Sequence, residues 1–186
     1  MKNRIVLVGK GASGKDHMRT LLEEAGLIYC ISHTSRPCRA DEENGKDYWF
    51  VSTSYFKDPD NKFYEYVEFN GWTYGTSLIE FRKSNLLIMT PSGISKLTER
   101  DRETSFIVYL DIDERIRRKR MNKRNDADST DRRIESDEKD FKDFIDYDFC
   151  ITNPKFGPKD AERIIENSLH LDDMLISPEN NEQLDE

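Results

Sequence analysis

The sequence contains only three cysteines, Cys30, Cys38 and Cys150, which lie far apart and form no C-x-x-C pair. An odd and scattered set of this kind predicts free thiols and excludes a disulfide framework. Long apolar runs are also missing, so no segment of the sequence could span a membrane. The first apolar run, Ile5–Val8, is too short for the core of a signal peptide, which favours a cytoplasmic location.

Positive charge is scarce, since 29 Lys and Arg residues stand against 37 Asp and Glu, for a net charge of -8. Such a chain is a poor general binder of nucleic acid, because that binding depends on many basic contacts with phosphates. The basic residues are nevertheless clustered, with Arg36 and Arg39 in one group and a denser group over Arg115–Arg124. Local positive sites in an acidic protein indicate focused binding of small anions.

Strand-like and helix-like segments alternate along the 186 residues. Strands are predicted at Ile5–Val8, Leu27–Ser32, Leu86–Met89, Phe106–Leu110 and Phe149–Thr152. Helices are predicted at His17–Glu24, from a cap at Ser92 to about Arg102, and at Asp113–Lys123, Asp131–Ile145 and Pro158–Leu169. This alternation predicts one α/β domain, built on a parallel sheet flanked by helices.

Residues Asp47–Tyr74 break the alternation with two aromatic-rich runs, Tyr48–Val51 and Phe63–Val67, separated by the turn Asp58–Asn61. These runs predict a small antiparallel insertion. After Leu169 the chain becomes acidic and rich in amides, which predicts a disordered tail.

The segment Gly9–Lys15 fits the phosphate-loop pattern G-x-x-x-x-G-K and lies between an apolar strand and a helix. In such a loop, backbone N–H groups and the helix N-terminus face phosphate oxygens, and the lysine adds a mobile full charge. The alternative is an ordinary glycine-rich turn, which the lysine and the preceding strand disfavour. The residues predicted to surround phosphates are Gly9, Gly11, Ala12, Ser13, Gly14 and Lys15.

The residue after the loop lysine is Asp16, where the pattern normally has the Ser or Thr that holds Mg²⁺. A carboxylate is a harder oxygen ligand and could bind the metal directly or through a water. Equally, Asp16 could simply be an acidic residue that stabilises the first turn of a helix.

From Ser32 onward the chain resembles the guanylate kinase family. Ser32–Arg39 resembles its S-x-T-T-R-x-P-R segment, and Gly45–Ser52 resembles G-x-D-Y-x-F-V-S. Phe63–Glu65 resembles F-x-E, and Tyr74–Ser77 resembles Y-G-T-S. Together with the phosphate loop, the resemblance covers most of residues 4–170. It implies a P-loop NTPase-like fold with an insertion that binds a nucleoside monophosphate and with a helical lid.

The resemblance places a set of residues around the acceptor nucleotide. It implies phosphate contacts from Ser32, Arg36, Arg39, Tyr48 and Tyr74, and guanine contacts from Glu65 and from Thr76, which follows Gly75 in the Y-G-T-S motif. Two arginines can grip a dianionic phosphate, and a carboxylate can accept from the N1–H and N2–H₂ donors that adenine lacks. Taken singly, each residue could also be a solvated arginine, a core aromatic or a plain turn.

The second half implies the site of the phosphate donor. Arg120–Arg124 resembles the R-L-x-x-R of the family's mobile lid, and Arg132–Ile134 resembles the following motif. The resemblance implies that Arg124 and Arg133 reach the phosphates, that Arg120 belongs to the ATP site, and that Asn153 lies near the adenine. From composition alone, the same stretch could be a solvated charged helix.

One family motif does not match. The usual L-D-x-D strand end corresponds here to Leu87–Pro91, and both aspartates are missing. We hypothesise that Asp16 replaces the metal-binding aspartate lost at Ile88. Thr90 stands where the resemblance implies the second contact with guanine, and its hydroxyl could still reach the base.

The sequence therefore predicts a nucleoside monophosphate kinase that uses ATP and Mg²⁺ to phosphorylate GMP or dGMP. The alternatives are a catalytically silent binding module of the same fold and a kinase of another or a modified monophosphate. The expected partners are small nucleotides, without nucleic acid or membrane, and the oligomeric state stays open. The expected organisation is a core (1–32, 77–112 and 147–170), a monophosphate-binding insertion (33–76), a lid (113–146) and a tail (171–186).

Overall fold

The computed structural model describes residues 3–39, 42–69, 71–124 and 129–170. Its strands are β1 Arg4–Val8, β2 His33–Thr34, β3 Trp49–Phe50, β4 Phe63–Phe69, β5 Trp72–Ser77, β6 Leu86–Ile88, β7 Ser105–Leu110 and β8 Phe149–Ile151. Its α-helices are α1 Lys15–Glu24, α2 Leu78–Lys83, α3 Pro91–Ile94, α4 Glu99–Glu103, α5 Glu114–Arg124, α6 Thr130–Phe141 and α7 Pro158–His170. A 3-10 helix lies at Thr53–Lys57. The predicted acidic tail, 171–186, lies outside the described residues.

The first sheet has the strand order β6-β1-β7-β8, and all of its neighbouring strands are parallel. Side chains alternate between its two faces, so Ile5 and Leu7 of β1 point to one side and Val6 and Val8 to the other. The first face packs against α1 and α7, and the second packs against α2 and α6. The predicted parallel sheet flanked by helices is confirmed.

Helix α1 follows β1 directly, and the local sequence sets both of its ends. Gly14 caps its start in a left-handed conformation with φ 106°, and Gly26 follows its end with φ 98°. A positive φ is easy for glycine and costly for other residues, so both turns depend on these two positions. Met18 and Leu22 lie on the buried face of the helix.

Two sequence-based assignments need correction. Leu27–Ser32 is not a regular strand, because it makes only a bridge from Tyr29 to Leu86 before the chain leaves for the second sheet. The single helix predicted after Ser92 is two short helices instead. Thr90 caps α3 through Gly93 N–H, with Pro91 at its first position, and Thr98 caps α4.

The predicted insertion forms a second sheet with the order β3-β2-β5-β4. The pairs β2–β5 and β4–β5 are antiparallel, as expected, whereas β2 and β3 are parallel, so the sheet is mixed. Its strand β5 leads directly into α2 through the cap residue Ser77. None of the described helices is long and apolar enough to cross a membrane.

Candidate active site

The phosphate loop is a tight turn between β1 and α1. Ala12 and Gly14 both have positive φ, 58° and 106°. The Nζ atom of Lys15 donates to the carbonyl oxygens of Gly9 at 2.6 Å and Lys10 at 3.2 Å, so the lysine is held across the mouth of the loop. A Cβ atom at Gly14 would lie 2.7 Å from the Phe156 ring, which explains why this position must be glycine.

One cavity extends from the phosphate loop to the second sheet, and it gathers most of the predicted site. From the loop and lid it is lined by Gly9, Gly11, Ala12, Lys15, Asp16 and Arg133. From the acceptor side it is lined by Ser32, Arg36, Arg39, Tyr48, Glu65, Tyr74, Gly75, Thr76 and Thr90. Residues far apart in the chain thus face one space, as a site for two reactants requires.

The two acceptor-side arginines are held by a carboxylate that the sequence motifs did not single out. Glu42 Oε1 accepts from the guanidinium groups of Arg36 at 2.7 Å and Arg39 at 3.3 Å. Glu42 Oε2 accepts from the backbone N–H of Arg39 at 2.9 Å. The Arg36 guanidinium also lies over the Tyr48 ring, 5.5 Å from its centroid. Both guanidinium groups are therefore oriented before any ligand arrives. In the sequence, the signal that could have identified Glu42 is its position three residues after Arg39.

Glu65 and Thr76 are direct partners in the β4–β5 ladder. Burial raises the pKa of the Glu65 carboxyl, while a hydrogen bond from Thr76 opposes that shift. Thr90 Oγ1 accepts from Gly93 N–H at 3.1 Å, so its hydroxyl serves as a helix cap as well as lining the cavity. Ile88 also lines the cavity, so an apolar side chain faces the space where the family has its aspartate.

Arg117 of α5 and Asp137 of α6, which the sequence analysis missed, pair with each other, and Asp137 also contacts the phosphate loop. Asp137 Oδ2 accepts from Gly11 N–H at 2.8 Å and from Arg117 at 3.0 Å. Burial raises the pKa of Asp137, and the Gly11 N–H together with Lys15 and Arg117 opposes the shift. Neither residue stood in a recognisable motif, because their pairing depends on how α5 and α6 pack.

Some predicted residues lie beside the cavity rather than in its lining. Arg120 donates to the carbonyl oxygens of Ala12 at 3.1 Å, Ser13 at 3.0 Å and Pro154 at 3.0 Å, and so braces the loop. Ser13 is fully buried and Gly14 caps α1, and neither lines the cavity. Asn153 is exposed, and its Oδ1 accepts from Lys155 N–H at 2.9 Å. The Arg124 side chain lies outside the described part of the lid.

Comparisons with known proteins agree with this architecture. The family model described as guanylate kinase matches residues 1–168. The chain is 31% identical over 162 residues to the guanylate kinase of Lactobacillus delbrueckii subsp. bulgaricus, covering 80% of this chain and 79% of that protein. It is 42% identical over 76 residues, 39% of this chain, to the guanylate kinase of Nitrosomonas europaea. It is 40% identical over 80 residues, 40% of this chain, to the human guanylate kinase.

The two shorter alignments span 38% and 41% of those relatives, which is less than half of their length. In three dimensions the chain is similar to the crystal structure of guanylate kinase from Anaplasma phagocytophilum, with a TM-score of 0.67 and 23% identity. That match covers 94% of this chain and 88% of the other, and it supports the fold. The resemblance predicted from the sequence motifs is confirmed, and the chain belongs to the guanylate kinase family.

Proposed function

We propose that this protein transfers the γ-phosphoryl group of ATP to GMP or dGMP, giving ADP and the nucleoside diphosphate. The observation that supports this is the single cavity that joins the Lys15 loop to the acceptor-side pair Arg36 and Arg39. Phosphoryl transfer needs two phosphates in line and their charge neutralised, and a cavity with cations at both ends provides for both.

In the proposed reaction an oxygen of the acceptor phosphate attacks Pγ, and the bond from Pγ to the β–γ bridging oxygen breaks. Lys15 and the loop N–H groups hold the donor phosphates, while Arg36 and Arg39 hold the acceptor with charge-assisted bonds. Arg133 comes from the lid and stabilises the transferring group. Arg124 is proposed for the same task. The lid, 113–146, excludes water and so limits hydrolysis of ATP.

Mg²⁺ is proposed to accompany ATP, and Asp16 is the residue that would hold it. Asp16 is exposed, lies in the first turn of α1 directly after Lys15, and lines the cavity. Among the described residues there is no group of three or more His, Cys, Asp and Glu side chains that could hold a metal. This fits Mg²⁺, which is usually held by one or two carboxylates together with substrate phosphates and water. When bound, the ion would neutralise charge on the phosphates.

Guanine is the proposed acceptor base because Glu65 and Thr76 face the cavity as a pair. Their carboxylate and hydroxyl suit the N1–H and N2–H₂ donors of guanine, and adenine would leave the Glu65 carboxylate unpaired. Ile88 and Thr90 offer fewer hydrogen bonds than two aspartates would, which favours a weaker base preference. Residues 33–76 are proposed as the acceptor-binding unit, and a cytoplasmic location, where ATP is abundant, fits this activity.

The test is a coupled ADP-release assay with ATP and Mg²⁺ against a panel of ribo- and deoxynucleoside monophosphates. We expect GMP and dGMP to exceed AMP in kcat/KM, and Lys15→Met to abolish turnover. Glu65→Gln should lower kcat/KM for GMP by about 10-fold or more while changing AMP little. Glu68→Gln, an exposed substitution on the same strand, serves as the control.

Two results would contradict the proposal in different ways. Absence of turnover with every monophosphate would favour a silent binding module and overturn the enzymatic function. Equal turnover of AMP and GMP would keep the kinase and remove Glu65 as the residue that selects guanine.

A further inference from the structure

Helix α6 presents two neighbouring carboxylates to the phosphate loop. Asp137 Oδ2 accepts from the backbone N–H of Gly11 at 2.8 Å, and Glu138 Oε1 accepts from Lys10 Nζ at 2.7 Å. The loop is therefore fastened to the lid through one backbone donor and one side-chain cation. A Cβ atom at Gly11 would lie 2.7 Å from Met121 Cε and 3.2 Å from Asp137 Oδ2, so a side chain here would displace the Met121 tip and crowd the Asp137 carboxylate.

Arg117 of helix α5 fixes these carboxylates from the other side. Its guanidinium donates to Asp137 at 3.0 Å, to Glu138 at 3.4 Å and to the carbonyl oxygen of Ile112 at 3.0 Å. The Arg117 side chain is only 1% exposed and that of Asp137 only 4%. Asp137 is thus a buried anion whose position is set by both lid helices and by the loop.

The groups around Asp137 are of the kind that bind a phosphate. They comprise a backbone N–H in a glycine loop and the charges of Lys15, Arg117 and Arg133, all of which act on this carboxyl. Arg133 and Asp137 are four residues apart, on one face of α6, and both line the cavity. One face of α6 therefore presents the Asp137 carboxylate to the loop and, beside it, the Arg133 guanidinium that is proposed to contact the transferring group.

We propose that Asp137 is a positioning residue that occupies a phosphate-loop N–H as an internal substitute for a nucleotide phosphate. The inference deepens the proposed function and rests on it. In the nucleotide-free chain Asp137 holds α6 on the loop, and an incoming nucleotide must displace this carboxylate. Displacement removes the competing anion while Arg133, on the same helix, stays at the cavity to meet the incoming phosphates.

If Asp137 competes with the nucleotide, then removing its carboxylate should strengthen nucleotide binding. Asp137→Asn and Asp137→Ala remove the competing charge, and we expect ADP to bind about 10-fold more tightly to each, equivalent to one charge-assisted hydrogen bond. Asp137→Glu keeps the charge and should stay near the wild-type affinity. Glu135→Gln removes an exposed charge from the same helix and should leave the ADP affinity unchanged.

The measurement is titration calorimetry of the full chain with ADP, once with Mg²⁺ and once with EDTA. The tightening should appear in both conditions, because the competition is with phosphate oxygens. Kinetics of the same variants should show a lower KM for ATP that exceeds any change in kcat. A purely structural salt bridge would lower thermal stability without tightening ADP.

A second measurement uses the wild-type chain and stays valid if the variants do not fold. The carboxyl ¹³C resonance of Asp137 should shift when ADP is added, because the nucleotide displaces this carboxylate from the Gly11 N–H. An Asp137 resonance that ADP leaves unchanged would overturn the proposal.

The remaining outcomes separate this proposal from the proposed function. Unchanged or weaker ADP binding by Asp137→Asn, with turnover intact, would overturn the role of Asp137 alone. Weaker binding only in the presence of Mg²⁺ would also overturn it and would assign Asp137 to the metal. Failure of the wild-type chain to bind ADP at all would overturn both.

Discussion

Asp16 combines two demands at one position, directly after the loop lysine. A carboxylate in the first turn of α1 is favoured by the helix dipole, and it lines the cavity that is proposed to hold ATP. Negative charge beside phosphates is unfavourable unless a cation lies between them. Asp16 should therefore make nucleotide binding depend more steeply on Mg²⁺ than a serine at this position would.

Substitution of Asp16 tests this dependence. We expect Asp16→Ala to lower kcat/KM by roughly 10- to 100-fold at a low Mg²⁺ concentration of about 1 mM, as for a weakened metal site. The activity of this variant should recover in part at higher Mg²⁺ concentrations. Asp16→Ser should keep more activity, because its hydroxyl is the usual ligand here. Glu24→Gln, exposed at the far end of α1, is the control. Full activity and unchanged Mg²⁺ dependence of Asp16→Ala would disprove the hypothesis that Asp16 replaces the aspartate lost at Ile88.

The internal carboxylates Glu42 and Asp137 show what single residues add to the site. Each is paired with cations that the proposed reaction uses or positions, Arg36 and Arg39 in one case and Arg117 in the other. These cations therefore each have an internal anion beside them before a ligand binds, and the phosphates of a nucleotide would compete with that anion.

At the scale of secondary structure, α3 depends on a residue that also belongs to the candidate site. Thr90 Oγ1 caps α3 through Gly93 N–H, and its side chain lines the cavity. We expect Thr90→Val to lower the free energy of unfolding by about 1 kcal/mol, the usual effect of losing a cap. In a domain of this size that corresponds to a fall in Tm of about 2–4 °C.

Thermal unfolding of Thr90→Val and Thr90→Ser checks this prediction. The serine variant keeps the accepting oxygen and should unfold close to the wild-type temperature. A Tm for Thr90→Val equal to that of the wild type would show that the cap contributes nothing measurable. A KM for GMP that rises in the valine variant and not in the serine variant would add a contact with the base to the role of Thr90.

The elements that could be predicted from the sequence are those whose signals are local. Strand β1 is a continuous apolar run, and α1 follows a glycine loop, so both were found at nearly their observed bounds. Leu27–Ser32 failed as a strand because Tyr29 and Cys30 are buried without a regular ladder, and only the register with β6 decides whether a ladder forms. The break between α3 and α4 coincides with the Thr98 cap, which starts a new helix inside the helical pattern.

The candidate site divides in the same way. Arg36, Tyr48 and Glu65 lie in motifs that could be recognised along the chain. Asp137 contacts Gly11 across more than 100 residues, and such a contact has no local sequence signal. Arg117 meets Asp137 because α5 and α6 pack together. Pairing of this kind requires the three-dimensional structure.

For the whole molecule, the net charge of -8 is distributed unevenly, and the candidate site carries part of its cost in stability. Burial raises the pKa of both Glu65 and Asp137, so ionising either carboxyl costs more free energy in the fold than in water. Such groups are retained where binding needs them, at the expense of the free energy of unfolding.

The raised pKa of Glu65 makes the free energy of unfolding depend on pH. Its pKa in the folded protein lies above its value in the unfolded chain, so its contribution favours folding fully below the unfolded pKa and is lost as pH rises through the folded pKa. Glu65→Gln cannot ionise, and we expect its Tm to exceed that of the nucleotide-free wild type at pH 7.5 by a few degrees, about 2–4 °C for each kcal/mol.

Calorimetric scans of both proteins between pH 7.5 and about pH 4.5, close to the ordinary pKa of Glu, test this sign. The difference in Tm should shrink steadily as the pH falls, because the wild-type carboxyl becomes protonated and the two side chains become electrically alike. Glu68→Gln, on the exposed side of the same strand, should show no such trend. A gap that widened on acidification would mean that hydrogen bonds to Glu65 outweigh its burial, and the same substitution would then cost stability as well as guanine selection.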